Sequence, residues 1–386
     1  MAELAHTLAQ MPAAEDLKAG FASKLIAWQK RYGRHDLPWQ QTRDPYAVWV
    51  SEIMLQQTQV AAVIGYYQRF MQRFPTIASL AAATQDDVMQ HWSGLGYYSR
   101  ARNLHKAAQQ VMELHGGVFP QTLEAIQALP GIGRSTASAI ASFAFEAPHP
   151  ILDGNVKRVF ARHFAIDGWP GLPKVEQQMW ALAERLQPLQ EHGPYAQALM
   201  DMGATLCTRS RPRCDACPLQ TTCLAYREGR TRELPASKPR KAIPEKSTTM
   251  LILLHDNQVM LEKRPGSGIW GGLWSLPEVE SGLDAQQAAA ARYGLQTKKL
   301  PPFGTLTHVF SHFKLHILPQ PLEVEAALMA NQTPNSQWLP LEAAVQAGIP
   351  APVRVLLEQV RWQQTALIAW RFTHLIICQP VLLPGG

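Results

Sequence analysis

The chain has 386 residues, more than the roughly 250–300 at which a single hydrophobic core stops growing, so two domains are expected. Hydrophobic residues make up 46% and charged residues 17%, a composition that excludes a disordered chain. The first residues lack the basic and apolar runs of a signal peptide, and Arg371 and His374 interrupt the one membrane-like stretch, residues 365–386. A cytoplasmic protein without membrane association is therefore expected.

The formal net charge of +6 is distributed unevenly along the chain. Residues 1–224 carry a net charge of +2, residues 225–249 carry +4, and residues 250–386 are neutral. The basic stretch also contains three prolines, which is typical of a semi-extended linker. A basic linker between two near-neutral domains fits a protein that binds a polyanion, although a merely soluble tether explains the charge equally well.

The first part of the chain is predicted to be nearly all-α. One buried helical face is predicted from apolar residues at helical spacing, namely Trp49, Ile53, Val60, Ile64 and Tyr67. Further helices, separated by glycine, proline or polar breaks, are predicted at Ser79–Gln90, Ala101–Leu114, Thr122–Leu129, Arg134–Phe145, Val156–His163 and Val175–Leu186.

The pattern changes to alternating strands near residue 248, so the second domain is predicted to be α+β. Met250–Leu254 and Val259–Arg264 are predicted to form a hairpin, and Phe303–Leu318 one long strand. Helices are predicted at Asp284–Arg292 and Val353–Val360. The predicted division of the chain is an extension (1–19), a helical domain (20–224), a basic linker (225–247), an α+β domain (248–362) and an apolar tail of unknown role (363–386).

Four of the five cysteines lie within 17 residues at the spacing C-x6-C-x2-C-x5-C, namely Cys207, Cys214, Cys217 and Cys223. Without a secretory signal, disulfides are not expected here, and four thiolates in one loop suit a tetrahedral metal or an iron–sulfur cluster. Structural zinc usually takes two separated two-cysteine knuckles, whereas only Cys214 and Cys217 form one here. A [4Fe–4S] cluster in the loop 207–223 is therefore favoured over zinc.

A Gly-Ile-Gly turn, with Gly131 and Gly133, lies between two predicted helices. Glycines let the backbone approach another chain closely, and the N–H groups that open the next helix, at Arg134 and Ser135, can bind a phosphate. A helix–hairpin–helix that grips DNA is predicted, although an ordinary helix–helix turn would use similar residues. The cysteine loop adds further expected phosphate contacts at Arg209, Arg211 and Arg213.

Two carboxylates are predicted to lie on polar elements of the helical domain. Asp153 precedes a predicted helix, so it is expected to cap that helix and to stay ionised there. Glu52 is expected to share one polar helix face with Gln56 and Gln59, at i, i+4 and i+7. An exposed amphipathic face is the alternative interpretation of that pattern.

The order of these motifs resembles that of a known family. The Glu52 helix, the Gly94–Tyr98 turn, the glycine hairpin, the Asp153 segment and the cysteine loop follow one another as in helix–hairpin–helix base-excision DNA glycosylases. Within that superfamily the chain is similar, over about residues 20–360, to the A/G-specific adenine glycosylases of the MutY family. The resemblance implies a helical glycosylase domain with a [4Fe–4S] loop, followed by an α+β Nudix-like domain.

The resemblance also implies a reaction. It is hydrolysis of the N-glycosidic bond of adenine opposite 8-oxoguanine or guanine in double-stranded DNA, which leaves an abasic site. Glu52 would protonate the flipped base, Asp153 would stabilise the positive sugar, and Asn155 would hydrogen-bond near it. A monomer associated with the nucleoid is expected.

Further contacts are implied by the same resemblance. The residues implied to hold the flipped state are Gln56 and Tyr97. The residues implied to contact adenine are Trp39 and Gln197. Relatives that also cleave the strand place a lysine, which can form a Schiff base, where this chain has Ser135. Hydrolysis is therefore expected as the main activity, with weak or no lyase activity.

The second domain lacks most of the metal-binding motif of Nudix hydrolases. The corresponding region, Gly272 to Leu295, has Glu278 and Glu280 but then four alanines in place of the Arg-Glu and Glu-Glu pairs. Recognition is therefore expected instead of hydrolysis. In the family that the chain resembles, the element at Phe310, Ser311 and His312 meets the oxidised guanine; a half-buried strand with solvated histidines is the alternative.

Three other functions remain open from the sequence. A glycosylase-lyase or pyrimidine/mismatch glycosylase is disfavoured by Ser135 and by the long second domain. A non-catalytic, cluster-bearing DNA-binding protein is disfavoured by the two carboxylates. Nucleotide-pyrophosphate hydrolysis is disfavoured because this chain lacks the metal-binding glutamate pairs of that activity.

Overall fold

The computed structural model describes residues 14–239, 242–326 and 335–363. The first compact unit consists of described residues 14–83 and 102–239, and the second of described residues 84–101 and those from 242 onward. Most of the predicted extension and tail lies outside the described residues.

Helices form the first unit and residues 84–101. In chain order they are α1 (Ala14–Tyr32), α2 (Pro45–Leu55), α3 (Val60–Arg73), α4 (Ile77–Ala82), α5 (Gln85–Trp92), α6 (Ser99–His115), α7 (Leu123–Gln127), α8 (Arg134–Phe145), α9 (Gly154–His163), α10 (Pro173–Leu186), α11 (His192–Asp201) and α12 (Leu224–Arg227). Short 3-10 turns lie at Pro38–Gln40, Cys214–Ala216 and Gln220–Thr222, and a π-helical turn lies at Met202–Leu206. The prediction of a nearly all-α first domain is confirmed.

One predicted helix is wrong because the chain breaks inside it. The predicted helix Ser79–Gln90 is two helices, α4 and α5, separated at Ala83 and Thr84. Both residues have extended backbone, and the Thr84 hydroxyl accepts a hydrogen bond from the Asp87 N–H, 3.2 Å away. A threonine that satisfies an open helix N–H in this way begins a new helix.

The predicted polar face of Glu52, Gln56 and Gln59 is also wrong. Helix α2 ends at Leu55, Gln57 adopts a left-handed backbone (φ 56°), and Gln59 begins α3. The three side chains therefore do not follow one helix. The apolar part of the prediction holds better, because Trp49, Ile53 and Tyr67 are buried.

The core of the first unit that supports the candidate site lies between α1, α9, α10 and α11. Phe160 and Met179 have no exposed surface there, and Leu25 and Ala198 pack in the same cluster. Asp153 begins α9 by accepting the Val156 N–H at 2.8 Å. The start of α9 is consequently fixed both by its cap and by its buried apolar face.

The second unit contains a mixed β-sheet. Its strands are β1 (Glu245–His255), β2 (Gln258–Lys263), β3 (Trp274–Ser275), β4 (Glu278–Val279), β5 (Gln296–Lys299), β6 (Leu306–Val309), β7 (Lys314–Ala326) and β8 (Ser336–Pro340). The sheet has the order β3-β2-β1-β7-β5, with β4 beside β1, β6 beside β7 and β8 beside β2. The β1 and β7 strands are parallel and the other pairs are antiparallel.

Helices complete this unit as α13 (Ala285–Tyr293), α14 (Leu341–Gln346) and a helix described over residues 351–363, named α15. Ala289 and Tyr293 of α13 pack on Leu251, Leu253 and other buried side chains of the sheet. The predicted α+β class and its first hairpin are confirmed: Leu254 pairs with Val259 across a two-residue turn. Among the described residues, no helix is long and apolar enough to cross a membrane.

The predicted long strand Phe303–Leu318 is wrong. It is a hairpin, in which β6 ends at Val309, residues 310–313 turn, and β7 begins at Lys314. The Phe310 N–H donates to the Phe313 carbonyl at 2.9 Å, which closes the turn. One continuous strand would place Val309 and Phe313 on the same face, whereas here Val309 is 60% exposed and Phe313 is 6% exposed.

Candidate active site

A cavity of about 300 Å³ opens within the first unit beside Glu52. Its walls come from α1, the turn at Pro38–Gln40, α2 and α11. Trp39 and Gln197, both predicted to contact a substrate, line it. The cavity therefore brings together three of the predicted site residues from distant parts of the chain.

Glu52 is partly buried in the wall of this cavity. Burial, and after it the negative charge of Asp153, raises the pKa of Glu52 from 4.5 to about 8. A carboxyl with that pKa is neutral near pH 7 and can donate a proton. The charge of Asp153 thus acts on Glu52, although the two residues are 101 positions apart in the sequence.

Asp153 is held at the start of α9 by several donors. The Val156 N–H donates to one carboxylate oxygen at 2.8 Å, and the Asn155 side-chain amide donates to the other at 3.2 Å. The pKa of Asp153 is raised, mainly by burial, and these hydrogen bonds and the charge of Arg158 oppose that increase. The donors favour the ionised form against the effect of burial. The predicted helix cap is confirmed.

Asn155 is fixed by a second set of contacts. Its side-chain oxygen accepts a hydrogen bond from Arg158 at 2.8 Å, and the same guanidinium donates to the carbonyl oxygens of Gly203 and Cys207, each at 2.7 Å. A Cβ on Gly203 would lie 2.5 Å from the Asn155 Cβ, so the π-helical turn and α9 touch closely. Arg158 was not predicted as a site residue.

The glycine hairpin has two different glycines. Gly131 has a φ of 81°, and a Cβ there would lie 2.8 Å from the Asn103 Cβ, so the fold itself requires glycine. Gly133 has an ordinary φ of −87°, and a Cβ there would meet nothing within 4 Å. Nothing within the described protein requires glycine at position 133, which leaves the surface beside it open to another molecule.

The residues that follow the hairpin begin α8. The Arg134 guanidinium pairs with Glu184 at 2.6 Å and lies 3.9 Å from the centre of the Trp180 ring. The Ser135 hydroxyl accepts the Leu152 N–H at 3.0 Å, which connects the start of α8 to the segment before Asp153. Ser135 thus has a structural contact that the sequence did not predict.

Gln197 is oriented by a polar network in the cavity. Its amide donates to Asp201 at 2.9 Å, and Arg34 donates to the same carboxylate through its backbone N–H at 2.9 Å and its side chain at 2.6 and 2.7 Å. Asp201 is fully buried. Neither Arg34 nor Asp201 was predicted as a site residue, although the i, i+4 spacing of Gln197 and Asp201 is a signal that the sequence contains.

Trp39 and Gln56, which were also predicted as site residues, contact neighbouring elements of the first unit. Trp39 is 8% exposed and packs edge-on against Tyr67, with ring centres 5.3 Å apart. Gln56, at the end of α2, donates through its side chain to the Thr136 hydroxyl at 3.3 Å, next to Ser135 on α8. The end of α2 is thus joined to the start of α8.

The four cysteine side chains are partly buried and form no disulfide bonds with one another. Burial, and after it the charges of the other three thiolates, raises the pKa of Cys217 to about 11, although a backbone N–H at Leu219 opposes this. Arg162, 3% exposed, donates to the Cys207 sulfur at 3.3 Å and to the Thr208 and Arg209 carbonyls. The Arg209 and Arg211 side chains are exposed on the same loop.

The polar surroundings of the four cysteines suit thiolates. The thiol charges act on one another, and N–H groups and a guanidinium point at the sulfurs, as is usual around metal-bound thiolates. Among the described residues, no group of three or more His, Cys, Asp or Glu side chains is arranged around a single metal ion.

Tyr97 belongs to the second unit and lies on the turn between α5 and α6. Its φ is 47°, in the left-handed region, and the flanking Gly94 and Gly96 also have positive φ. The ring is 48% exposed, and the Arg100 guanidinium lies 5.4 Å from its centre. A strained turn thus presents an aromatic side chain to solvent.

The hairpin of β6 and β7 carries an aromatic cluster at its turn. Phe310 stacks on Phe313, with ring centres 4.6 Å apart, and packs against His308 at 4.5 Å and Trp270 at 5.2 Å. Ser311 and His312 are exposed at the tip. The sequence analysis did not predict Trp270, which is 7% exposed and has a left-handed φ of 53°.

Glu278 and Arg292, which lie in the region that corresponds to the Nudix motif, each form an ion pair. Glu278 pairs with Arg264 through its side chain, and its carbonyl accepts a hydrogen bond from Arg292 at 2.9 Å. Arg292 also donates to both carboxylate oxygens of Glu262 at 2.7 Å. The carboxylates of Glu278 and Glu262 are thus paired with arginine side chains.

Comparisons with known proteins agree with this architecture. Residues 50–185 match the model of the HhH-GPD superfamily of base excision DNA repair proteins, and residues 248–359 match that of a NUDIX domain. Among solved structures, a thermostable thymine-DNA glycosylase has a TM-score of 0.52 and 28% identity, covering 56% of this chain and all of its own. The fold and the site therefore define a helix–hairpin–helix DNA glycosylase with a Nudix-like domain.

Adenine DNA glycosylases from several organisms are similar to this chain over most of its length. The adenine DNA glycosylase of Buchnera aphidicola (subsp. Acyrthosiphon pisum) is 37% identical, covering 88% of this chain and 97% of its own. That of Rattus norvegicus is 38% identical, covering 88% and 78%, and that of Homo sapiens is 35% identical, covering 89% and 74%. The chain belongs to the adenine DNA glycosylase family. The predicted family, and with it a hydrolase of base excision repair, is confirmed.

Proposed function

We propose that this protein removes adenine paired with 8-oxoguanine or guanine from double-stranded DNA by hydrolysing the N-glycosidic bond. The observation that carries the proposal is the raised pKa of Glu52, about 8, in a cavity of about 300 Å³ with Asp153 nearby. A flipped base needs a protein cavity and a proton donor, because adenine leaves poorly until it is protonated.

The two carboxyls have different tasks in this mechanism. Glu52, neutral near pH 7, donates its proton to the flipped adenine as the bond to the sugar lengthens. Asp153, whose oxygens receive the Val156 and Asn155 donors, stays anionic and stabilises the positive charge that develops on the sugar. Ionised Glu52 then accepts a proton from the water that attacks the sugar carbon, which returns it to the neutral form.

The cavity supports recognition of a planar base. Trp39 supplies an aromatic wall, and Gln197 supplies a side-chain amide. Asp201 orients this amide by accepting a hydrogen bond from its nitrogen at 2.9 Å. Amides form paired hydrogen bonds with the edge of adenine. We assign both residues to adenine contact.

The DNA backbone would be bound at the hairpin and at the cysteine loop. Gly131 allows the left-handed turn of the hairpin, Gly133 leaves the backbone beside it accessible, and the N–H groups at the start of α8, at Arg134 and Ser135, suit a phosphate. Exposed Arg209 and Arg211 add positive charge on the loop. Gln56 and Tyr97 are assigned to hold the stack open around the flipped nucleotide.

The second unit is assigned to the base opposite adenine. Exposed Ser311 and His312 at the hairpin tip offer hydrogen-bonding groups, and Phe310 offers an aromatic face. Replacing Phe310 and Ser311 by alanine is expected to lower the ratio of the excision rate opposite 8-oxoguanine to that opposite guanine. An unchanged ratio would reject this role.

Cys207, Cys214, Cys217 and Cys223 are assigned as ligands of a [4Fe–4S] cluster, which would brace the loop that carries Arg209 and Arg211. Iron and sulfide analysis of the anaerobically purified protein, with its visible absorption spectrum, tests the assignment. About four irons per chain are expected. One zinc and no iron would establish the alternative.

A single-turnover assay on a duplex with one adenine opposite 8-oxoguanine tests the reaction itself. Strand breaks are expected only after hot alkali, because Ser135 provides no amine for a Schiff base. Breaks without alkali would indicate a glycosylase-lyase. Glu52→Gln and Asp153→Asn are expected to abolish base release while retaining duplex binding, and substantial turnover by either would reject its assignment. Sedimentation of the same sample should show the expected monomer.

A further inference from the structure

Helix α5 is held by the segment between α14 and α15 of the same unit. The Gln90 amide donates to the Gln346 carbonyl at 3.0 Å, and the Ser93 hydroxyl donates to the Ile349 carbonyl at 2.9 Å. A Cβ on Gly348 would lie 3.3 Å from the backbone nitrogen of Gln90, so the two backbones are in close approach. The end of α5 is thus attached to a fixed surface.

Arg354, on α15, closes this attachment. Its guanidinium donates to the Ser93 hydroxyl at 2.9 Å, to the Ala347 carbonyl at 3.3 Å and to the Val345 carbonyl. Ser93 therefore accepts from Arg354 and donates to Ile349 through one oxygen. A planar guanidinium with several fixed acceptors loses little freedom for each further bond, so it holds the group that it contacts firmly.

The same end of α5 determines the turn that presents Tyr97. Buried Trp92, directly before Ser93, donates through its indole N–H to the Gly96 carbonyl at 3.1 Å. The Arg100 guanidinium donates to the same carbonyl at 3.1 Å and lies 5.4 Å from the centre of the Tyr97 ring. The backbone at Gly96 and the ring of Tyr97 are consequently fixed relative to Ser93.

We propose that Arg354 is a positioning residue, which, through Ser93 and the end of α5, holds the Tyr97 turn in the conformation that inserts into DNA. The proposal rests on the role assigned to Tyr97 under the proposed function. It gives the region after the Nudix-like sheet a task in base flipping that is separate from the recognition of the opposite base at Phe310. Arg354 itself touches no substrate.

A double-mutant cycle tests the proposal, because two residues that act through one step are not additive. The variants are Arg354→Met, Tyr97→Leu and their combination, with the rate of adenine release measured in single turnover on the adenine:8-oxoguanine duplex. Loss of one contact of hydrogen-bond strength corresponds to a change of about three- to ten-fold, so Arg354→Met is expected to slow release by that factor. The double variant is expected to be no slower than Tyr97→Leu alone.

The control is Arg361→Met, which removes an equal charge from the same helix at a position paired with Glu342 at 3.2 Å. Its release rate should equal that of the wild type. If Arg354→Met does not fold, as judged by circular dichroism, Ser93→Ala takes its place in the cycle, since it removes the hydroxyl that accepts a hydrogen bond from Arg354 and donates one to Ile349.

The outcomes separate the proposal from the function on which it rests. If Tyr97→Leu releases adenine at the wild-type rate, the assigned role of Tyr97 fails and the positioning role falls with it. If Tyr97→Leu is slow but Arg354→Met and Ser93→Ala are not, only the positioning role is overturned. Additive effects in the double variant would also overturn it, because Arg354 would then act by another route.

Discussion

Replacing Glu52 by glutamine is expected to stabilise the protein while it abolishes base release. The folded-state pKa of Glu52, about 8, lies above its ordinary value of 4.5. Between these two values the native state holds a proton that the unfolded state has lost, so the stability of the wild type falls as the pH rises through that range. Glutamine has no proton to lose, so the variant escapes this decrease.

The size of the effect follows from the same shift. At roughly 1.4 kcal/mol per pH unit, the decrease between pH 4.5 and pH 7 is about 3 kcal/mol at most. The glutamine amide introduces two N–H donors into the cavity wall, and an unpaired donor costs about 1 kcal/mol or more. The net gain at pH 7 is therefore about 1–2 kcal/mol, or a rise in Tm of about 2–8 °C for a unit of this size.

Thermal melting of both proteins from pH 4.5 to pH 8.5 measures this gain. The variant should melt somewhat below the wild type near pH 4.5, where only the cost of the amide is felt, and increasingly above it toward pH 8. Glu146→Gln is the control in the same cavity, because the Glu146 carboxylate is already paired with Arg43 at 3.4 Å and accepts the Gly193 N–H at 3.2 Å. That variant should not gain stability. If the Glu52→Gln protein melts at or below the wild-type temperature at pH 8, burial does not raise the pKa of Glu52.

Three further predictions concern other contacts. Gly203→Ala should lower the free energy of unfolding by about 1–3 kcal/mol in a denaturant titration, because the added Cβ would overlap Asn155. Gly154→Ala is the control and should leave the free energy of unfolding unchanged, because its Cβ would meet nothing within 4 Å. Ser135→Ala should cost about 1 kcal/mol in the same titration, since the Leu152 N–H loses its acceptor; an unchanged midpoint would contradict this contact. Trp270→Leu should lower the preference for adenine opposite 8-oxoguanine, because Phe310 loses its aromatic support, and Trp270→Phe should recover part of it; equal ratios in all three proteins would exclude the support.

The sequence was sufficient for features that depend on local chemistry. The Asp153 cap, the glycine hairpin at Gly131 and the two-residue turn between β1 and β2 each follow from residues within a few positions of one another. Local breaks were harder to predict, because apolar periodicity continued across them. Thr84 and Gln57 interrupt helical patterns by a cap and a left-handed backbone, and neither residue type is decisive for a break.

The parts of the site that the sequence did not indicate depend on long-range contacts. Arg34 reaches Asp201 across 167 residues, and the two are adjacent only because α1 packs on α11. Trp270 reaches Phe310 in the same way, from a loop of the second unit to the hairpin turn. Neither pair has a spacing signal, since the packing of separate elements brings them together.

Helix α9 connects the chemistry at Asp153 with the cysteine loop. Asp153 caps the start of this helix. Five residues later, Arg158 donates to the carbonyls of Gly203 and Cys207. Arg162 donates to the Cys207 sulfur and to the Thr208 carbonyl. Because Arg158 also orients Asn155, which donates to Asp153, a displacement of the loop would reach the carboxylate through two hydrogen bonds. Under the proposed function the four cysteines matter to base release although none of them lines the cavity. A ligand that fixes the loop would also fix the donors that favour the ionised form of Asp153 against the effect of burial.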